Sequence, residues 1–354
     1  MKVNQILHGD SLTELKKLPD KSINMCMTSP PYWALRDYGM DGQLGLEPTF
    51  DEYINKLCDI FDEVKRVLRD DGTCWVNIGD TYNSHSKSLV MIPFRFAIEM
   101  VNRGWILRNT IIWHKRNCMP SSAKDRFTVD FEYLFLFSKN KKYYFETQYE
   151  PLSEVSIKRS RYGLNQTNNN QKAVNVQNLD KMGNRFCNPK GRNKRAVWTI
   201  NPKPFKEAHF AVYPEELCET PIKAGCPKFV CNKCGKIRKK IYEHIKGKYG
   251  NHNKFNKQRE IDGSDKFVRH GLQGSTLGGV VGYDIFKGYT YCGCNAGFTS
   301  GIILDPFFGA GTTGLVALKQ RKNFIGIELN PKYIKIAKKR LKPFLEQKTL
   351  GDVK

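Results

Sequence analysis

The sequence lacks long hydrophobic runs: it has no stretch of about 18 consecutive apolar residues, so we expect no membrane-spanning helix. Its beginning, MKVNQILHGD, has no signal-peptide pattern, and a cytoplasmic protein is therefore the expectation. Acidic residues are scarce, with 35 Asp and Glu against 58 Lys and Arg in 354 residues. The resulting formal net charge of +23 favours a polyanionic partner.

The excess positive charge lies mostly in two segments. Residues 151–207 hold twelve Lys and Arg against three acidic residues, and residues 235–291 hold twelve against five. Charge gathered in this way predicts surfaces that meet a polyanion; the alternative is a basic surface that is only solvated. The first segment is also rich in Asn and Gln and has no hydrophobic period, which indicates a linker or a loop that orders on binding.

Strands and helices alternate through most of the remaining sequence. The alternation predicts an α/β sheet covered on both faces, in one large domain with insertions or in two domains. Ser11 and Glu14 have the spacing of a capping box at the start of the first helix. The predicted strands are 3–7, 23–27, 73–78, 106–113, 131–138, 143–145, 301–304 and 324–327, and the predicted helices are 11–18, 50–68, 92–102, 215–224 and 313–320.

The stretch TSPPYW, at residues 28–33, follows a short apolar strand. Two prolines end the strand because neither can donate a backbone hydrogen bond, and they hold the loop extended. Such a loop offers the Ser29 hydroxyl, the Pro30 carbonyl and the Tyr32 ring, which together suit a planar group with an exocyclic amine. The alternatives are a Pro-Pro turn with a buried tyrosine and a polyproline ligand.

A second motif, DPFFGAGTT at residues 305–313, follows a buried strand and opens a helix, and the next strand ends at Glu328. The glycines let a ligand approach the backbone, and the acid can accept both hydroxyls of a ribose. Gly309, Gly311 and Gly314 also satisfy the fingerprint of an NAD-binding domain. The motif comes late in the sequence, however, and its Asp and Thr residues suit a ligand with a charged amino-acid tail better than a pyrophosphate.

Together, TSPPYW, DPFFGAGTT and the acid in GIELNP resemble the signatures of the amino-group DNA methyltransferases. The motif order, with the catalytic motif first and the cofactor motif last, resembles the permuted β group of that family. GDSLTELKKLPDKSINM, HFAVYPEEL and the segment 113–139 are similar to further family stretches, so that the resemblance covers about 1–150 and 195–345. It implies a doubly wound, Rossmann-like methyltransferase sheet in permuted motif order.

The resemblance also implies S-adenosylmethionine as methyl donor and double-stranded DNA as substrate, with the target base flipped out of the helix. Serine before Pro-Pro-Tyr favours cytosine N4 as the target, and adenine N6 is the alternative. A homodimer and a cognate restriction endonuclease are further expected partners, and a nucleic-acid-binding protein with an inactive methylase core is the alternative from another class. The implied catalytic residues are Ser29, Pro30, Pro31 and Tyr32, and the implied cofactor-binding residues are Asp10, Asp305, Phe307, Gly309, Gly311, Thr312 and Glu328.

The eleven cysteines include two closely spaced pairs, Cys231 with Cys234 and Cys292 with Cys294, which are separated by 57 residues. Four thiolates predict a closed structural zinc site, and the alternative is two unrelated buried pairs. We expect an inserted zinc ribbon at 228–298, which carries aromatic residues among its basic ones. Cys226 is a substitute ligand, and the expected core or surface cysteines are Cys26, Cys58, Cys74, Cys118, Cys187 and Cys218.

These interpretations give a domain plan. Residues 1–150 form the catalytic half, and residues 208–227 with 299–354 form the cofactor-binding half. Residues 151–207 form a basic, Asn-rich target-recognition segment, which shares sequence recognition with the ribbon insert at 228–298.

Overall fold

The computed structural model describes residues 1–83, 85–155, 191–204, 212–245 and 283–346. In these residues the helices are α1 (Ser11–Lys16), α2 (Phe50–Val67), α3 (Ile92–Asn102), α4 (Glu215–Gly225), α5 (Thr312–Lys319) and α6 (Pro331–Leu345). The strands of the first half are β1 (Gln5–His8), β2 (Ile23–Thr28), β3 (Leu68–Ile78), β4 (Ile106–His114), β5 (Phe131–Ser138) and β6 (Tyr149–Glu150). The later strands are β7 (Arg192–Asn193), β8 (Val197–Thr199), β9 (Val230–Cys231), β10 (Lys240–Ile245), β11 (Tyr283–Tyr289), β12 (Phe298–Thr299), β13 (Ile302–Asp305) and β14 (Asn323–Glu328).

The chain divides into two compact units. The first comprises residues 1–148, 195–237 and 294–354 and contains the main sheet, and the second comprises residues 149–194 and 238–293. Within the second unit, β6 pairs with β7 and β10 pairs with β11, both antiparallel.

Eight strands form the main sheet in the order β1-β14-β13-β2-β3-β5-β4-β8. All neighbours run parallel except β5, which is antiparallel to both β3 and β4. Strand β13, from late in the sequence, lies beside β2, with Ile303 opposite Met25 and Leu304 opposite Cys26. The carboxyl ends of β2 and β13 therefore meet at one edge of the sheet.

Each face of the sheet packs against its own hydrophobic core. Cys74 and Val76 of β3 point into the core that α1, α2 and α3 cover, whereas Trp75 between them points into the core that α4, α5 and α6 cover. Strand side chains alternate between the faces, so helices on both sides require apolar residues at nearly every central position. This explains why β2 is buried along its whole length.

Several expectations about single elements were wrong. Residues 143–145 are not in a strand, although the Tyr144 backbone N–H donates to the Asp71 carbonyl of β3 at 2.8 Å. Asp10, not Ser11, caps α1: its Oδ1 accepts a hydrogen bond from the Thr13 backbone N–H at 2.9 Å. The Ser11 hydroxyl instead donates to the Pro306 carbonyl at 2.5 Å and so links α1 to the glycine turn.

Parts of the sequence expectations lie outside the described residues, namely Cys187, most of the segment 151–207 and the middle of the insert at 228–298. In the part of the chain that the structure describes, no helix has the length and hydropathy that a membrane crossing requires.

Candidate active site

The two sequence motifs adjoin at the carboxyl edge of the sheet. Thr28 begins the proline loop, and its hydroxyl donates a hydrogen bond to Asp305 Oδ1 at 2.6 Å. Thr313, at the other end of the glycine turn, donates to the Met27 carbonyl at 3.3 Å. The parallel neighbours β2 and β13 bring the motifs together, although Thr28 and Asp305 are 277 residues apart along the chain.

One cavity of about 920 Å³ is lined by residues of both motifs. That volume lies near the upper end of the usual range for small-molecule sites, so there is room for a cofactor beside a base. Asp305 and Gly311 are not among the lining residues, and their contact with a cofactor stays a prediction. The expected site residues that do line it are Asp10, Ser29, Pro30, Pro31, Tyr32, Phe307, Gly309, Thr312 and Glu328.

Beneath the proline loop lies a hydrogen-bonded network that the sequence did not reveal. The Tyr32 hydroxyl donates to Glu132 Oε2 at 2.7 Å, and the Asn77 side-chain amide donates to the same oxygen at 3.1 Å. The Ser29 hydroxyl is positioned to donate to Asn77 Oδ1 at 3.3 Å. Lys115 forms an ion pair with the other oxygen of Glu132. Burial, with a smaller effect of the Glu132 charge, raises the pKa of Tyr32, so its hydroxyl stays protonated and donates.

Strand pairing explains how these residues meet. Thr28 of β2 lies opposite Val76 of β3, so the next residues, Ser29 and Asn77, are neighbours. Because β5 runs antiparallel to β3, the first residues of β5 lie beside the last residues of β3. Glu132 therefore lies at the same edge of the sheet as Ser29 and Asn77. A polar residue at the end of an otherwise apolar strand, as at Asn77, is the sequence signal that could have identified it.

On the cofactor side, Glu328 ends β14 and lines the cavity. Its carboxylate accepts hydrogen bonds from the backbone N–H groups of Gly309, at 2.6 Å, and Asn330, at 2.8 Å. Burial nevertheless raises the pKa of Glu328 above its usual value. Tyr38 and Tyr333 line the same region, with ring centroids 6.4 Å apart in an edge-to-face arrangement. A carboxylate beside aromatic side chains fits a nucleoside with a cationic tail, such as S-adenosylmethionine.

The glycine turn requires glycine at two positions, since Gly309 and Gly311 have φ values of +52° and +81°. At Gly311 a Cβ would also lie 3.0 Å from the Ala337 Cβ, which indicates tight packing of the turn on α6. Arg340 of α6 donates to the Ala310 carbonyl at 2.7 Å. Contacts within the protein itself therefore shape the turn.

Asp305 is only 1% exposed and organises the junction from behind the cavity wall. Its Oδ1 accepts from Thr28 and from the Phe307 backbone N–H, and its Oδ2 accepts from the Tyr213 hydroxyl at 3.2 Å. Burial raises its pKa, and the hydrogen bonds oppose that shift. Asp305 therefore holds the ends of β2 and β13 in register.

The four expected zinc ligands form a cluster. The sulfur atoms of Cys231, Cys234, Cys292 and Cys294 all lie within 4.8 Å of one another. The Gly235 N–H donates to the Cys231 carbonyl at 2.9 Å and closes a tight turn around the first pair. Tetrahedral zinc with bonds of about 2.3 Å places sulfur atoms about 3.8 Å apart, so this donor set fits the metal. Cys226 is buried and is not part of the cluster.

Comparisons with known proteins agree with this geometry. Residues 23–232 and 295–339 match the model of a family described as DNA methylase, N6_N4_Mtase. The chain is 32% identical to the Type II methyltransferase M.Cfr9I of Citrobacter freundii over 95% of this chain and 87% of that protein. It is 31% identical to the Type II methyltransferase M.SmaI of Serratia marcescens over 95% of this chain and 90% of that protein.

Among solved structures, the fold is similar to that of the PvuII DNA methyltransferase (cytosine-N4-specific), with a TM-score of 0.55 and 17% identity over 99% of this chain and 88% of the other. A cavity that joins the proline loop to the glycine turn is the arrangement that such a methyl transfer requires, because donor and acceptor must meet. The chain therefore belongs to the N6/N4 family of S-adenosylmethionine-dependent DNA methyltransferases.

Proposed function

We propose that this protein methylates the N4 amine of a cytosine flipped out of double-stranded DNA. The observation that carries the proposal is the common cavity in which Ser29, an uncharged acceptor, faces the same space as the glycine turn. A base within a duplex cannot reach a loop inside a cavity, so the base has to leave the helix.

The residues of the proline loop orient the amine. Because the Ser29 hydroxyl donates its own proton toward Asn77, the oxygen lone pairs remain free to accept from the amine. The Pro30 carbonyl is the second acceptor, and the Tyr32 ring supports the base plane. Two acceptors draw the amine hydrogens to one side, so that the nitrogen lone pair points away from them. The protein contributes alignment and polarisation, and no covalent nucleophile is needed.

We infer that Glu328 holds the ribose hydroxyls of S-adenosylmethionine, with Phe307, Gly309 and Thr312 around its methionine part and Asp10 near its adenine. When bound, this cofactor supplies a methyl group activated by a sulfonium. Glu328 and Asp10 carry the charge expected of residues that bind a cationic ligand, and both line the cavity.

The late position of the glycine turn supports a permuted order of the two halves. The proline-loop strand β2 comes early in the chain, and the glycine-turn strand β13, which comes late, is inserted beside it. The domain plan, with residues 1–150 as the catalytic half and 299–354 in the cofactor-binding half, follows from this order.

Incubation with unmethylated DNA and labelled S-adenosylmethionine, followed by digestion to nucleosides and mass spectrometry, tests the proposal. We expect N4-methylcytosine. N6-methyladenine would refute the cytosine assignment, and no labelled nucleoside would refute the activity. Ser29→Ala should abolish transfer and leave cofactor binding intact, whereas Ser86→Ala, in an exposed loop, should alter neither.

We also propose that the cysteine cluster binds one structural zinc ion within a ribbon at 228–298. The close approach of four sulfur atoms supports this proposal. Elemental analysis of purified protein should give about one zinc per chain. Cys231→Ser should lose most of the metal and Cys118→Ser should retain it. Protein without zinc, or equal zinc in the two variants, would refute the assignment.

The relatives M.Cfr9I and M.SmaI are described as Type II methyltransferases. We therefore propose that this protein acts in a restriction-modification system with a cognate endonuclease. DNA methylated by the protein should resist an endonuclease encoded beside it, and cleavage equal to that of unmethylated DNA would refute the pairing. A homodimer stays a prediction, for which the solution mass is the measurement.

A further inference from the structure

The loop between β4 and β5, residues 115–130, exposes two large apolar side chains. Phe127 is 96% exposed and Met119 is 89% exposed, the highest values among the large hydrophobic residues that the structure describes. An almost fully exposed aromatic residue gains nothing from the fold of the free protein, because it removes little apolar surface from water. The exposure of such a residue therefore indicates contact with a binding partner.

Phe127 lies in a loop that is held in place. The Lys115 backbone N–H donates to the Asp130 carbonyl at 2.7 Å and closes the base of the loop. The two residues before Phe127 also make side-chain contacts: Asp125 pairs with Lys87 at 3.2 Å, and the Arg126 guanidinium lies 3.9 Å from the Tyr82 ring centroid. The phenyl ring therefore projects from anchored backbone.

The same loop lines part of the active-site cavity. Asn117, Cys118, Met119 and Val129 are among the lining residues. Phe127 is two residues from Val129, a distance of at most about 7 Å along an extended chain. Both exposed apolar residues are therefore close to the space through which a flipped base must pass.

Charge in this loop identifies the partner. Its four basic side chains are Lys115, which pairs with Glu132, and Arg116, Lys124 and Arg126, against two acidic ones, Asp125 and Asp130. Exposed apolar side chains in the same loop as cations suit a surface with stacked rings inside and phosphates outside, which describes duplex DNA. A protein partner would not require this combination beside the base cavity.

We propose that Phe127 enters the DNA duplex beside the target base and fills the gap that the extruded nucleotide leaves, with Met119 against the cavity side of that gap. This inference rests on the proposed base-flipping function. The ring restores stacking for the neighbouring base pairs, which would otherwise face an empty step. Residue Phe127 thereby stabilises the flipped state and makes no contact with the reacting amine.

The test compares two DNA duplexes that contain the methylation site found by sequencing methylated DNA. In one duplex the target base is paired, and in the other it lies opposite a mismatch, which lowers the cost of extrusion. We expect Phe127→Ala to lower kcat/KM about tenfold or more on the paired duplex and less than about threefold on the mismatched one. Phe127→Leu should retain more activity, because leucine still fills part of the gap.

A fluorescent 2-aminopurine at the target position reports extrusion without catalysis. Its fluorescence should rise on binding to the unaltered protein and rise much less with Phe127→Ala. Ile98→Ala is the matched control, since Ile98 of α3 is 62% exposed and lies outside the loop and the cavity lining. It should change neither the fluorescence nor kcat/KM.

Equal losses on both duplexes, or no loss on either, would overturn the proposal. A large fall in melting temperature with an unchanged fluorescence rise would also overturn it, because Phe127 would then pack on the chain itself. If Phe127→Ala changed the solution mass and base flipping stayed intact, the ring would instead contact a second copy of this chain, and the proposal would be overturned. Failure of the proposed function is distinguishable, since the unaltered protein would then methylate neither duplex.

Discussion

Glu132 is the residue whose substitution tests the active-site geometry most directly. Glu132→Gln keeps the shape of the side chain and an acceptor oxygen, but it removes the negative charge. In the native protein one oxygen of Glu132 accepts from both Tyr32, at 2.7 Å, and Asn77, at 3.1 Å. Asn77 in turn is the acceptor for Ser29. The substitution therefore weakens the support of both side chains that hold the base.

The size of the effect follows from these contacts. Hydrogen bonds to an ionised acceptor are roughly twice as strong as neutral ones, so each of the two donors loses about 1 kcal/mol. The side chains of Glu132 and Lys115 are 18% and 19% exposed, so water compensates little for the loss. A total of about 2 kcal/mol lowers kcat about thirtyfold. KM for S-adenosylmethionine should hardly change, because Glu132 lies on the proline-loop side.

Steady-state kinetics with a DNA duplex and labelled S-adenosylmethionine measure both constants, and a melting curve checks that the variant folds. Glu99→Gln is the matched control, because Glu99 of α3 accepts a charged hydrogen bond from Arg103 at 2.8 Å and its side chain is 31% exposed. It should leave kcat within about twofold. A folded Glu132→Gln variant that retains native kcat would refute the network. A rise in the KM for S-adenosylmethionine by as large a factor as the fall in kcat would place Glu132 in the cofactor site instead.

Three further predictions concern neighbouring parts of the site. Burial raises the pKa of Glu328, so the affinity for S-adenosylmethionine should fall as the pH decreases, with a midpoint above the ordinary glutamate value of about 4.3. Glu328→Gln should bind the cofactor weakly and show no such midpoint. Calorimetry across pH measures the affinity, and a midpoint at or below the ordinary value would contradict the prediction. Gly79→Ala would place a methyl group 2.7 Å from the Tyr32 ring, so we expect kcat to fall with little change in melting temperature. A native kcat would show that the position of the Tyr32 ring is not critical. Gly326→Ala would place its Cβ 2.3 Å from the Phe308 ring beneath the glycine turn, so the free energy of unfolding should fall by about 1–3 kcal/mol. A urea titration measures this change, and native stability would contradict the close packing of Gly326 on Phe308.

Local patterns were enough for most of the fold. The helix at Ile92–Asn102 and the strand at Phe131–Ser138 have the predicted bounds, since each has a clear hydrophobic period between polar loops. The helix that begins at Phe50 ends at Val67, one residue before the prediction, and the chain enters β3 at once. The strand predicted for 143–145 is absent, because three apolar residues are too few to distinguish a strand from a loop by their pattern.

The candidate site was predictable only in part. The proline loop and the glycine turn are each a continuous stretch of sequence, and seven of their proposed residues, together with Asp10 and Glu328, line one cavity. Asp305, expected at the cofactor, is buried behind the wall and ties β2 to β13. Its contact with the cofactor stays a prediction, because a carboxylate at a strand end can face either the cavity or the neighbouring strand and the sequence does not distinguish the two.

The sequence by itself determined the chemistry of the two loops, because proline cannot donate a backbone hydrogen bond and glycine alone adopts positive φ without strain. It also determined that helices cover both faces of the sheet, since the central strands are apolar at successive positions. Only the tertiary structure decided that the two loops meet, that β5 runs antiparallel, and that Asn77 and Glu132 consequently lie beneath Ser29 and Tyr32. These contacts depend on strand order and direction, which arise from packing across the whole sheet and leave no local pattern in the chain.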